Sequence, residues 1–582
     1  MAASPLLPSL SLNNNKNRMG QGYLHMNLEH LQKSIVCPSV CIQNRQYNIK
    51  LYMIPSRDFA QHCLLSPFAT LGSLKEDVAF QGNYDSSGAL ASNNFRRSKA
   101  SLDNSSNLLD GMNDFERQLQ ELFDEVKTMI KMGNKNEAID LLQANYEAVK
   151  ERMDAGARGM EEAAILDTIA LGYMAIGDLK LVGSLLDMLN DIVDSLKDDE
   201  PLLDSVLIHM GSMFSTLGKS EKSMLMYRRV LDILESEYGK DSIFLITPLL
   251  GMAKVLGSIG RATKAVELYH RAITILESIR GAESEELVVP LFALGNLLIK
   301  EGRAKDAENP FIRILDIYTT TYGENDGRVG MAMCSLAHVK CAQGNADEAV
   351  YLYKSALQVI KDSKYIALDD TIMEKMRIDL AELLHVVGRG QEGRELLEEC
   401  LLITEKYKGK EHPSSVTHLL NLATSYSHSK NFVEAERLLR ISLQIMMKTL
   451  DPNDPSITFP MLHLAVTLYH LKRNEEAEQL ALEALHIREE AFGKESLPVG
   501  EALDCLVSLQ TRLGKNDNEL LDLLKRVLRI QEKEFGNESE EVMVTLKKIV
   551  FYLDKMGRRD EKFPLQKRLS MLRNKYNQRV QS

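Results

Sequence analysis

The chain has 582 residues, of which 44% are hydrophobic and 26% are charged, a balance typical of folded globular proteins. Its formal net charge is −12, and because residues 1–110 hold ten Lys/Arg against seven Asp/Glu, the remainder carries −15. Such an acidic body repels phosphate backbones, which argues against a general nucleic-acid-binding protein, and no apolar run is long enough to predict a transmembrane segment.

Residues 1–75 have the composition of an organelle address. They contain seven Lys/Arg but only two acidic residues, Glu29 and Asp58. Acid-poor, hydroxyl-rich segments are typical of transit peptides, and the opening Met-Ala-Ala-Ser resembles chloroplast leaders more than mitochondrial ones. We therefore predict a chloroplast transit peptide over 1–75 and a plant protein of the stroma or the thylakoid periphery. The alternative is a disordered tail on a cytoplasmic protein.

Residues 76–111 are predicted to be a disordered linker. The stretch from Gly82 to Asn107 is rich in Ser, Asn and Gly and offers little apolar surface to bury.

From residue 112 to residue 575 the sequence repeats itself. Each repeat contains a Gly or Lys five residues before a position where Ala recurs, and we call this Gly or Lys the anchor. Successive anchors are separated by 44, 41, 42, 42, 42, 44, 42, 42, 42 and 43 residues. Such a constant period predicts a solenoid. The anchors are Gly133, Gly177, Gly218, Gly260, Gly302, Gly344, Gly388, Lys430, Lys472, Gly514 and Gly557.

Each repeat is predicted to form two antiparallel helices. Seven residues before the anchor the residue is Gly, Ala or Val in every repeat, which lets two helices approach closely. A second apolar stripe at helical spacing begins five residues after the anchor. A glycine anchor suits the left-handed backbone at the end of the first helix. The sequence therefore predicts an all-α fold of about eleven antiparallel helix pairs over 112–575, followed by a C-terminal tail at 576–582.

These repeats resemble tetratricopeptide repeats in the 42-residue form of kinesin light chains and nephrocystin-3-like proteins. The resemblance rests on turns such as Tyr238-Gly239-Lys240 and Phe492-Gly493-Lys494 and on Asn421-Leu422-Ala423, and it covers about residues 115–575. It implies a right-handed superhelical solenoid with a disordered N-terminal region. It also implies protein binding, although this architecture serves many partners.

Gly388, Gly390 and Gly393 spell G-x-G-x-x-G, the spacing of a dinucleotide-binding loop. That loop requires a β-strand before it and a helix that opens on its last glycine. Here Gly388 ends a predicted first helix, and no β-rich run lies on either side. We interpret the motif as a repeat turn and predict no cofactor.

The first helix of each pair is expected to line a concave groove. With the anchor counted as position fifteen, positions two, six, nine and thirteen form one helical face that is small, polar and nearly neutral. We predict that this face holds short extended peptides through hydrogen bonds, with apolar pockets at Phe459 and Tyr469. The candidate groove residues are Asn296, His338, Thr417, Asn421, Thr424, His428, Phe459, His463 and His470.

The sequence contains no arrangement typical of catalysis or metal binding. It lacks a phosphate-binding G-x-x-x-x-G-K-[ST] loop, H-E-x-x-H and G-x-S-x-G. His463 and His470 share one helix, about 10 Å apart by helical rise, without an acidic or Cys partner at ligand spacing. We therefore predict no catalytic residue and no metal site.

These features predict a non-catalytic interaction scaffold or adaptor that binds partner segments in its groove, in the assembly or maintenance of plastid protein complexes. One alternative is a cytosolic cargo adaptor similar to kinesin light chains, which would need heptads that residues 76–111 lack. The other is a plastid RNA-binding helical-repeat factor. It would need a basic surface such as Arg558, Arg559, Lys562, Lys567 and Arg568 could form. The sequence leaves the partner and the oligomeric state undefined.

Overall fold

A computed structural model describes residues 106–581 of the chain. The predicted transit peptide and most of the predicted linker lie outside the described residues. Within them the secondary structure is helical throughout, with twenty-two α-helices in consecutive packed pairs. Short 3₁₀ turns, at Ile243–Leu245, Glu285–Leu287 and Pro455–Ile457, precede three of the first helices. The all-α prediction is confirmed.

The helices are numbered in chain order. They are α1 Ser106–Lys131, α2 Lys135–Asp154, α3 Met160–Ile176, α4 Leu179–Val193, α5 Leu203–Thr216, α6 Ser220–Tyr238, α7 Ile246–Ser258, α8 Ala262–Arg280, α9 Val288–Lys300, α10 Ala304–Tyr322, α11 Gly327–Gln343, α12 Ala346–Ser363, α13 Thr371–Val386, α14 Gly390–Lys408, α15 Ser415–His428, α16 Phe432–Thr449, α17 Thr458–His470, α18 Asn474–Phe492, α19 Leu497–Leu513, α20 Asp517–Phe535, α21 Glu540–Lys555 and α22 Arg559–Gln581.

Every predicted anchor ends a first helix in the left-handed backbone region. The eleven anchors have φ between 62° at Lys430 and 95° at Gly177. The residue after each anchor donates its backbone N–H to a carbonyl five residues earlier, for example Asp178 to Tyr173 at 3.0 Å. This closure satisfies a carbonyl that the helix end would otherwise leave without a donor. The predicted role of the anchors is confirmed.

The small residue seven positions before the anchor allows the two helices of a pair to approach closely. At Gly211 a Cβ atom would lie 2.9 Å from the ring of Tyr227, and at Gly295 it would lie 2.6 Å from the ring of Phe311. Both rings belong to the second helix of the same repeat. The aromatic side chain therefore occupies the space that the missing Cβ leaves.

Successive second helices are tied together by a recurring arginine. Arg271 on α8 lies 2.7 Å from Glu235 on α6 and donates to the backbone oxygen of Lys240 at 2.9 Å. Each of these arginines pairs with a carboxylate of the preceding repeat, so the contact fixes how one repeat stacks on the last. The other pairs of this kind are Arg313 with Glu277, Arg526 with Glu489 and Arg568 with Glu532.

The described residues divide into two compact units, 106–367 and 368–581. The core of the first runs from Val126 to Val339, and buried clusters of the second run from Ala381 to Leu572. The predicted array spanned 112–575, whereas α1 begins at Ser106 and α22 reaches Gln581.

Candidate functional site

The candidate groove residues of the second unit lie on α15 and α17. On α15, Thr417, Asn421 and Thr424 are half-buried and His428 is exposed. The Thr424 hydroxyl donates to the Leu420 carbonyl at 2.9 Å, so its proton is already used within the helix. This part of the first-helix surface is polar, uncharged and partly open to solvent.

On α17 the structure places the candidate residues mostly in the interior. Phe459 is 3% exposed, His463 is 8% exposed and Tyr469 is 6% exposed, whereas His470 is half-buried. Eleven of the thirteen residues of α17 are buried, because this helix is apolar on nearly every side. Their contact with a partner stays a prediction, but these three side chains do not form open pockets.

In the first unit, Asn296 is half-buried on α9, and His338 on α11 is a core residue that is 3% exposed. Its Nδ1 lies 2.8 Å from the Cys334 carbonyl, and its Nε2 lies 2.8 Å from the Tyr353 hydroxyl. If Nδ1 donates to the carbonyl, Nε2 accepts from Tyr353, so both ring nitrogens are satisfied within one repeat. The sequence analysis assigned His338 to the groove because it occupies position nine of its repeat. That position does not by itself show whether the side chain is buried.

Several histidines of the second unit have a pKa below the usual value, which favours the neutral imidazole. Burial lowers the pKa of His463 to about 4, reinforced by His428, and lowers the pKa of His385 to about 4 in the same way. Burial also lowers the pKa of His470, whose ring stacks on Phe432 with centroids 4.2 Å apart. Residues 106–581 contain no group of three or more potential ligands that could hold a metal ion.

Buried polar atoms without a hydrogen-bond partner gather on α15 and α17. Within the described chain they include the hydroxyls of Ser425 and Ser427, Nδ1 of His463 and Nε2 of His470. Leaving such an atom unsatisfied costs about 1–3 kcal/mol, and most buried polar atoms in proteins are bonded. Two consecutive first helices therefore hold unused hydrogen-bonding capacity.

A pair formed by a buried carboxylate on α3 and a half-buried imidazole on α5 was missed from the sequence. Nδ1 of His209 lies 2.6 Å from Oδ2 of Asp167, which is 4% exposed. Burial raises the pKa of Asp167 against the opposing effect of His209. Burial by itself would lower the pKa of His209, but Asp167 and Asp204 bring it above its usual value. In the sequence, the only sign of this pair is that Asp167 and His209 are 42 residues apart, which is about one repeat period.

The three glycines of the G-x-G-x-x-G spacing span the junction of two helices. Gly388 closes α13 with φ of 79°, Gly390 begins α14, and Gly393 lies within α14. A Cβ on Gly393 would meet the Ala381 carbonyl at 2.8 Å and crowd the His385 ring. A helix stands where a dinucleotide loop requires a strand, so the interpretation as a repeat turn is confirmed.

The basic cluster near the end of the chain is largely compensated by carboxylates. Arg558 pairs with Glu561, Lys562 with Asp554 at 2.5 Å, and Arg568 with Glu532 at 2.5 Å. Charges that are paired in this way contribute little to a field that would attract a phosphate backbone.

Two sequence families, both described as tetratricopeptide repeat, match the chain. One matches residues 244–320, 291–362 and 373–448, and the other matches residues 461–497. The chain therefore contains tetratricopeptide repeats. No helix among the described residues is long and apolar enough to cross a bilayer. No curated protein matches the chain significantly.

Three solved structures illustrate what the fold is similar to. A putative kinesin light chain of Podosopora anserina is 24% identical over 35% of this chain and 95% of that one, with a TM-score of 0.32. BtubC (BKLC) of P. vanneervenii is 18% identical over 40% and 91%, with a TM-score of 0.34. The apo quorum sensor NprR of B. thuringiensis is 13% identical over 64% and 99%, with a TM-score of 0.38. What these three proteins bind is not assigned to this chain, because the identities are below 25% and the TM-scores are below 0.5.

Proposed function

For this chain of tetratricopeptide repeats, we propose a non-catalytic scaffold that holds segments of partner proteins on its first helices. The observation that carries the proposal is the polar, uncharged and half-buried face that Thr417, Asn421 and Thr424 form on α15. An extended peptide presents an N–H and a C=O at every residue, and both are uncharged. Hydroxyl, amide and neutral imidazole groups match that chemistry without the desolvation cost of a buried charge.

A peptide selection tests this function directly. Random peptides are displayed and selected on the full chain, and the affinity of the best sequences is then measured by fluorescence anisotropy. We expect Thr417→Ala and Asn421→Ala each to weaken binding by about threefold to tenfold, since a lost hydrogen bond is worth about 0.5–1.5 kcal/mol.

The matched control is Gln444→Ala, which truncates an exposed polar side chain on α16, the second helix of the same repeat. It should leave the affinity unchanged. Failure to select any peptide, or equal losses in all three variants, would count against a groove on the first helices.

We further propose that the scaffold acts in plastids, in the assembly or maintenance of protein complexes. The support is the acid-poor composition of residues 1–75. Residues 1–110 fused to a fluorescent protein should deliver it to chloroplasts in a plant cell. Cytosolic fluorescence would instead favour the cargo-adaptor alternative. That alternative needs a helix ahead of the repeats that is available to pair with a motor chain, whereas α1 packs on α2 and α3 as part of the repeat array.

The RNA-binding alternative is weakened by the ion pairs of Arg558, Lys562 and Arg568. A filter-binding assay with plastid transcripts at physiological salt should show only weak retention without sequence preference. Tight, sequence-dependent retention would overturn the protein-scaffold proposal in favour of RNA.

A further inference from the structure

The sixth residue after an anchor contacts the following repeat close to that repeat's own anchor. Glu308 lies 2.8 Å from Lys340, which is four residues before Gly344. In the second unit, Glu436 lies 2.6 Å from Arg473, the residue after Lys472. Glu478 accepts a hydrogen bond from Gln510 at 2.9 Å, again four residues before an anchor. The same stacking register therefore recurs along the chain.

In the last repeat this position is held by Phe563 on α22. No repeat follows it among the described residues, and its side chain is 64% exposed. Among the equivalent apolar residues, Met224, Val350 and Leu520 are buried, at 8%, 2% and 1%, and Ile139 is 36% exposed, well below Phe563. Phe563 thus occupies a position that receives a further repeat elsewhere in the chain, and exposure of so large an apolar ring is unfavourable.

The first repeat offers an apolar residue at one matching position and an exposed apolar side chain near it. Met129 lies four residues before Gly133 and is partly buried against the core of its own unit, and Met132, one residue before Gly133, is 72% exposed. The charges are complementary as well, because α22 contains seven Lys/Arg and two Asp/Glu. Helices α1 and α2 together contain eleven Asp/Glu and six Lys/Arg.

We propose that the protein associates head to tail, with α1 and α2 of a second copy stacked on α22 as the next repeat. Phe563 of one copy then packs against Met129 and Met132 of the other, a favourable contact between an aromatic ring and thioether side chains. Arg559, Lys567 and Arg573 of α22 are exposed and form no ion pair among the described residues, and together with the acidic α1–α2 pair they favour this orientation. This association goes beyond the proposed scaffold function, and does not depend on it.

Such an interface joins two different surfaces, so every assembly keeps one α22 surface and one α1–α2 surface exposed at its ends and can add further copies. The weight-average mass of the full chain, measured by sedimentation equilibrium, should therefore rise with concentration past the mass of a dimer. Higher salt should weaken the association, because the charges that orient it are screened.

The variants Phe563→Glu and Met132→Glu each remove one of the two surfaces at an exposed side chain. Alone, each should associate at least about tenfold more weakly than the wild type, a loss of about 1.4 kcal/mol. Mixed in equal amounts, they should form a dimer that grows no further, because each variant retains the surface that the other lacks. Leu402→Glu, at a side chain on α14 that is 65% exposed, is the control and should associate like the wild type.

A wild-type chain that stays monomeric at every concentration would overturn the proposal. So would association that survives in both variants, or a mixture that forms no dimer.

Discussion

Lys430 and Lys472 adopt a backbone conformation that the other nine anchors reach with glycine. Their φ angles are 62° and 68°. A side chain in this region clashes with its own backbone, at a cost of about 1–2 kcal/mol. We expect Lys430→Gly and Lys472→Gly each to raise the free energy of unfolding by about 0.5–1 kcal/mol, since the greater freedom of glycine in the unfolded chain offsets part of the gain. Chemical denaturation measures this.

The reverse substitution is the control for the two lysines. A Cβ on Gly388 would meet no atom within 4 Å, so Gly388→Ala tests the backbone conformation alone. It should destabilise the protein by about 1 kcal/mol. If the lysine variants lose stability instead, their side chains form contacts worth more than the backbone strain.

His463 should make the second unit sensitive to acid. Its pKa is lowered from 6.5 to about 4 in the folded chain. Between these values the unfolded chain binds a proton that the folded chain does not, so stability is present above pH 6.5 and is lost as pH falls towards 4. From pH 7 to pH 5 the wild type should lose about 1–2 kcal/mol more than His463→Gln, measured by denaturation at both pH values.

His209 provides a control of opposite sign. Its pKa is raised in the folded chain, after burial is outweighed by Asp167 and Asp204. Its contribution is therefore present below the unfolded pKa of about 6.5 and is lost as pH rises through the folded value. His209→Gln should therefore lose less free energy of unfolding than the wild type when the pH is raised above about 6.5. An identical pH profile for His463→Gln and the wild type would contradict the assigned burial of that imidazole.

At the scale of elements, the close packing of α13 and α14 depends on a missing side chain. A Cβ on Gly393 would lie 2.8 Å from the Ala381 carbonyl, which is backbone and cannot turn away. Gly393→Ala should therefore destabilise the protein by about 1–3 kcal/mol, measured by thermal or chemical unfolding.

Gly183 on α4 is the matched control, because its nearest neighbour is a Leu217 methyl group at 4.0 Å. Gly183→Ala should stabilise the protein by about 0.5–1 kcal/mol, the usual gain from replacing a glycine inside a helix. Equal effects of the two substitutions would show that helix propensity, rather than the distance between α13 and α14, decides stability at Gly393.

At the scale of the whole molecule, the described chain has two units with separate buried cores. Leu207 belongs to the first core and Leu468 to the second, and both are 0% exposed. Repeat proteins gain stability from neighbouring interfaces, so the units need not unfold together. Calorimetry should resolve more than one transition. Leu207→Ala and Leu468→Ala should each cost about 2–5 kcal/mol and shift different transitions.

A single transition that both leucine substitutions lower equally would contradict this separation. It would mean that the repeats from 106 to 581 unfold as one cooperative array.

The helix pairs and the turns that end their first helices could be predicted from the sequence because they are encoded locally. A turn at an anchor needs only the preference of glycine for positive φ, and a helix pair needs only an apolar stripe and a small residue opposite an aromatic ring. For the same reason the three glycines from Gly388 to Gly393 could be assigned to a repeat turn.

Much of the candidate site could not be predicted in this way. Position numbers placed His338, Phe459 and His463 on the same helical face as Thr417 and Asn421, yet the first three are buried and the others are half-buried. Burial depends on which side chains of other helices lie against that face, and periodicity carries no information about them.

The sequence by itself determined the period, the paired helices and the chemistry of the anchors. The tertiary structure alone decided which polar residues are accessible, how Asp167 meets His209 across a repeat, and where the array divides into two units. The physical reason is range. Backbone preference acts within a few residues of the chain, whereas burial, electrostatic pairing and core continuity arise between residues that the chain separates by one repeat or more.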